Sequence, residues 1–238
     1  MMTAIRQAAN ETDGEPRPVT LNFRAWQPRT ASLVAGVALA LMAVLAGFGN
    51  FGAIVPLVTP GDAERTARDI AESAPLFLAG IASLFVVTIL DLIVAGALYA
   101  LFRPVNPVLS AVAAWTRVVF AAVFMAAIGQ LVTAYTLLDQ PVAALHSIDA
   151  FTTIWVTGLG LFGIHLLLVG YLAYRSGFMA RIFGILLAVA GMGYLADAVG
   201  TLLVDGFTAV FGQFLFVGEV ALIFWLLIRG RRLPTRAE

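Results

Sequence analysis

Six long runs of apolar residues, at 30–49, 75–102, 107–138, 148–174, 180–203 and 207–228, hold at most two formal charges apiece. About 20 such residues, coiled as a helix, cross the roughly 30 Å hydrocarbon core of a bilayer. A membrane-spanning strand would instead alternate polar and apolar residues over about 10 positions. These runs are too long and too uniform for that, so they read as helices. Charged residues are 12% of the 238, against 61% hydrophobic, while a soluble domain is roughly 25% charged. Too few charges remain to cover a water-facing surface, and the apolar side chains must face lipid. The expected fold is an all-α integral membrane bundle of about six transmembrane helices over residues 30–230. A polar N-terminal tail at 1–29, expected to be disordered, precedes it, and a basic tail at 231–238 follows. The N-terminal tail has no short apolar stretch with a small-residue cleavage site, so no signal peptide is read.

Prolines and glycines punctuate the runs. RPVNP (103–107) closes the second span and opens the third, because proline cannot continue a helix. RSGFMAR (175–181) does the same between the fourth and fifth, and Asp205-Gly206 turns the chain before the last. Only the first connection is long. Its segment 61–73 reads as a short surface helix with Asp62 or Thr59 near its start and Ala63, Thr66, Ala67 and Ile70 on its less polar face.

Arginine fixes the orientation, since cytoplasmic loops collect basic residues. With the N-terminus inside, eleven arginines (6, 17, 24, 29, 103, 175, 181, 229, 231, 232 and 236) face the cytoplasm. Two, Arg65 and Arg68, face out, together with most of the acidic loop residues. Both termini are therefore expected in the cytoplasm, and the protein in the inner membrane as a multi-pass protein.

Composition also excludes chemistries. No lysine is present, so no retinal or pyridoxal Schiff base can form. No cysteine is present either, which removes disulfides, thiolate metal sites and palmitoylation. Two histidines cannot make a three-histidine zinc site. No glycine-rich phosphate loop stands at a loop–helix junction, and Ser83 lies too far from His165 to be activated by it. No catalytic residue, metal, cofactor or nucleic-acid partner is expected; the bilayer and a small-molecule ligand are.

Charged groups inside a span cost roughly 2.5–3.5 kcal/mol each at the centre, so those present ask for a reason. Counting about 1.5 Å per residue from the cytoplasmic ends puts Asp91, Arg117, His165 and Glu219 about 15–18 Å deep, at the midplane. Asp197 lies farther out, at about 24 Å. Helical spacing sets Thr88, Asp91 and Tyr99 on one face of the second span, and Tyr194 with Asp197 on one face of the fifth. Two readings stand side by side. Arg117 is a structural counter-ion tying Asp91 to Glu219, with Tyr194 and Asp197 as packing glue. Alternatively, Asp91, Arg117, His165 and Glu219, seconded by Thr88, Tyr99, Tyr194 and Asp197, handle a ligand or proton at the depth where transporters bind substrate.

The stretches DLIVAGALYALFRPVNPVLSAVAAWTRVVFAA, LFGIHLLLVGYLAYRSGFMARIFGILLAVAGMGYLAD and GEVALIFWLLIRG resemble the domain of unknown function 4386 family of bacterial polytopic membrane proteins. The resemblance covers about residues 30–230 and implies a fold and a membrane location, but no reaction. It places Asp91, Arg103, Arg117, His165, Arg175, Ser176, Asp197, Gly218 and Glu219 on family motif positions. Relatives carry an arginine where this chain has LFLAG (76–80), which puts in doubt any outer-leaflet charge pair of that arginine with Asp197. The leading expectation is binding or translocation of a small molecule or proton through the midplane cluster. The alternative is a non-catalytic accessory or regulatory subunit whose cluster is only structural, and an intramembrane enzyme comes third.

Overall fold

The computed structural model describes residues 26–212 and 216–233, and among them every regular element is helical. Most of both tails lies outside these residues. The first span begins at Pro28, with the proline at the first helical position where its missing N–H costs nothing. It runs as α1 (Pro28–Gly47), widens into a π-helical stretch (Phe48–Ile54) and closes with a 3-10 turn (Val55–Leu57). The surface helix α2 (Ala63–Glu72) starts at Asp62, whose carboxylate accepts the Arg65 N–H at 3.0 Å. Its Thr66, Ala67 and Ile70 are buried.

Four long helices follow: α3 (Ala74–Phe102), α4 (Pro107–Thr136), α5 (Pro141–Arg175) and α6 (Arg181–Leu203). Asn106 caps α4 by accepting the Leu109 N–H at 3.0 Å. The helix α5 begins seven residues earlier than the apolar run indicated, because Pro141 provides a start and α2 packs on the added turns.

The last span departs from the expected continuous helix over 207–228. After the turn at Gly206 the chain stays non-helical to Val210, and the helix α7 (Val217–Ile228) has only 12 residues. At 1.5 Å per residue it is about 18 Å long, little more than half the hydrocarbon thickness. Phe211 and Gly212 are again helical, and α7 follows from Val217.

Each span packs against its sequence neighbours, and α7 packs against both α6 and α1, so the six close into a ring. The α5–α6 seam is the tightest. A Cβ on Gly163 would come within 2.6 Å of the Gly191 carbonyl oxygen, and one on Gly170 within 2.7 Å of that of Gly184. Small residues let transmembrane backbones approach this closely. At the α1–α3 seam a Cβ on Gly80 would lie 2.8 Å from that of Ala53, and Ser83 Oγ donates to the Leu45 carbonyl at 2.8 Å. The ring closes where Ser32 Oγ donates to the Leu226 carbonyl at 3.1 Å. That contact sets the first turn of α1 beside the last turn of α7, so the chain enters and leaves the bundle on the same side. Five helices are long and apolar enough to cross a membrane, and α7 is the shorter sixth.

Candidate functional site

Arg117 is the largest fully buried side chain among the described residues, 2% exposed, in the first half of α4. Ser110, Ala113, Arg117, Ala121 and Phe124 are buried at helical spacing and turn this face of α4 into the ring. Asp91 comes from α3, 1% exposed, with Oδ1 2.6 Å from Arg117 Nη2. The contact is a charge pair rather than an aligned hydrogen bond, and Arg117 Nε has no partner. His165 comes from α5, 1% exposed, with Nε2 3.2 Å from Arg117 Nη1 and Nδ1 2.8 Å from the Ala113 carbonyl oxygen. An arginine offers only donors and a carbonyl only an acceptor. Nδ1 therefore carries the hydrogen and Nε2 accepts, which fixes the ring as the neutral Nδ1–H tautomer. Met42 Sδ of α1, 4.0 Å from Nη2, and the Phe162 ring of α5, 5.1 Å from the guanidinium carbon, complete the surroundings. Phe162 was readable from the sequence, since it stands one turn before His165 on the same face. Met42 carried no signal.

Glu219 does not join this group by contact. Among the described residues it forms no ion pair with Arg117; it accepts the Tyr194 O–H at 2.7 Å instead. It remains within electrostatic reach of both Arg117 and Asp91. The single arginine bridging Asp91 and Glu219 is thus replaced by two linked groups. Arg117, Asp91 and His165 form one, Tyr194 and Glu219 the other, and the Phe162 ring, 5.5 Å from that of Tyr194, stands between them. Glu219 lies in the first turn of α7, with its own N–H donating to the Phe216 carbonyl at 2.9 Å.

Asp197 holds the start of the sixth span. Its Oδ1 accepts the N–H groups of Val210 and Phe211 at 2.9 and 3.0 Å, and its Oδ2 accepts that of Gly212 at 2.6 Å. One buried carboxylate from α6 thus holds three backbone groups that a continuous helix would have bonded internally. Gly212 is needed there, because a Cβ would lie 2.6 Å from the Tyr194 ring. Thr88 is buried, yet its hydroxyl is committed to the Leu84 carbonyl of its own helix at 3.1 Å. Tyr99 is 36% exposed on the outside of the bundle. The buried face of α3 continues from Asp91 through Ala95 to Leu98 and Phe102, which leaves Tyr99 turned away. Of the eight residues singled out in the sequence, the structure brings Asp91, Arg117 and His165 together, pairs Tyr194 with Glu219, and gives Asp197 a separate task. Among the described residues no three His, Asp or Glu side chains converge as metal ligands.

The family model described as Domain of unknown function (DUF4386) matches residues 34–230. The chain belongs to that family. An uncharacterised protein of Archaeoglobus fulgidus is 38% identical over 153 residues, covering 64% of this chain and 85% of the relative. Since that relative is archaeal, similarity reaches beyond bacteria. No solved structure matches the chain. In this DUF4386 chain the matched span begins six residues into α1 and takes in α2 to α7 and every residue of both polar groups.

Proposed function

We propose that the protein binds, and passes through the membrane, a proton or a small protonatable molecule, and that Glu219 is the group that takes it. The observation that carries this is a charge imbalance. Arg117 supplies one positive charge to the midplane, while Asp91 and Glu219 together supply two negative ones. Asp91 sits against Arg117, His165 is neutral, and among the described residues Glu219 has the Tyr194 hydroxyl as its hydrogen-bond partner and no cation paired with it. An uncompensated carboxylate in a bilayer is costly enough to call for a proton or a cationic ligand.

The test is proton uptake by reconstituted protein in vesicles loaded with a pH-sensitive dye. Uptake should fall at least tenfold in Glu219→Gln and survive in Arg65→Ala. Equal uptake by Glu219→Gln and the wild type would overturn the assignment. A second reading, an accessory subunit with a sealed structural cluster, is favoured by the exposure of only 1–2% at Asp91, Arg117 and His165. It predicts no uptake by any variant. The arginine distribution supports cytoplasmic termini, and with them residence in the inner membrane.

A further inference from the structure

Outside the ring, α6 carries an apolar groove of about 500 Å³ that includes Ile185, Val189, Met192, Gly193 and Ala196 and is bounded at one end by Phe211 of the interrupted span. Ile185, Val189 and Met192 are 47–58% exposed, so this wall of the groove opens directly onto the hydrocarbon. Counted from Arg181 at 1.5 Å per residue, the groove runs from about 6 to about 22 Å in depth, which brackets Glu219 at about 15 Å. Gly193 and Phe211 line the groove, and the next residues in the chain, Tyr194 and Gly212, pack against each other. The far end of that same Tyr194 side chain donates to Glu219. One phenol ring, packed on a glycine rather than on a bulky side chain, thus links the neighbours of the groove to the carboxylate.

Resting on the Glu219 reading above, we propose that this site is reached sideways from the membrane and that its ligand is an amine bearing an apolar chain. The two ends of such a molecule match what the chain presents. The groove offers it no polar side chain, which suits an alkyl body. Glu219 offers a carboxylate with no cation in contact among the described residues, which suits an ammonium. An ammonium has three donors and takes over the hydrogen bond that Tyr194 now makes, so the ring swings aside without stranding Glu219. An alcohol of the same length gains the groove but brings no charge. A short water-soluble amine brings the charge but gains nothing from the groove.

The cysteine-free chain permits a direct test. A fluorophore is attached at Val199→Cys, which is 44% exposed, three residues beyond Ala196, in full-length protein in lipid nanodiscs. A nitroxide-labelled decylamine should quench it saturably, while nitroxide-labelled decanol should quench only in proportion to its partitioning. Glu219→Gln should weaken the saturable component at least tenfold. Ala196→Phe, which fills the groove at an exposed position, should do the same. In parallel, the Glu219 carboxyl band is followed by infrared difference spectroscopy as ethylamine is added. Decylamine quenching no different from that of decanol, with a Glu219 band that still responds to ethylamine, overturns lateral access and leaves the Glu219 reading standing. A band indifferent to both amines overturns the Glu219 reading itself. Unchanged saturable quenching in Ala196→Phe shows that the groove is not the route.

Discussion

Arg117 illustrates how a full charge is tolerated at the centre of a bilayer. Its two terminal nitrogens meet Asp91, His165 and the Met42 sulfur, and Phe162 lies beside the guanidinium. Removing it strands Asp91 in a low-dielectric interior, and the loss of one partner of a buried pair costs about 3–5 kcal/mol. Arg117→Ala should therefore lower stability by about 3 kcal/mol or more, read from denaturant unfolding in detergent, while the exposed Arg65→Ala should change it little. Adding Asp91→Asn should recover part of the loss, since the orphaned carboxylate is then neutral. Glu219→Gln should recover less, because Glu219 touches Tyr194 and not Arg117. Equal rescue by both second substitutions would contradict the two-group arrangement.

Among the elements, the interrupted sixth span is the one whose form depends on another part of the chain. Its sequence from 207 to 216, FTAVFGQFLF, is largely apolar. Asp197, which lies 13 to 15 residues earlier, captures three of its backbone N–H groups. Asp197→Ala should release them, and hydrogen exchange at Val210, Phe211 and Gly212 should accelerate selectively over exchange in α5. Unchanged protection at those amides would show that the segment holds its shape without the carboxylate. This is also where sequence reading reaches its limit. Span positions follow from the apolar runs alone. The convergence of Asp91, Arg117 and His165 follows from depth counted along straight helices, each side chain lying on a face of small residues. Glu219 shares their depth but not their contacts. Depth along a helix is a local quantity, whereas the direction in which α7 points Glu219 is set by a tertiary hydrogen bond with no signature of its own.

For the molecule as a whole, the Ser32–Leu226 contact and the arginine count address orientation independently. The first puts both ends of the bundle on one side, and the second predicts that side to be the cytoplasmic one. A reporter active only in the cytoplasm should work when fused after Arg103 or Glu238 and fail after Ala63 or Pro141. Cytoplasmic activity at Pro141 would invert the middle helices. Closure of the ring by its first and last spans also has a bearing on how the protein is made. Until α7 leaves the ribosome, α1 and α6 have no shared neighbour, and Tyr194 and Asp197 face a gap in the wall instead of Glu219 and the Val210–Gly212 backbone. A nascent chain of five spans thus presents unpaired polar side chains to lipid, and it takes both the Val210–Gly212 backbone and the final 12-residue helix to cover them.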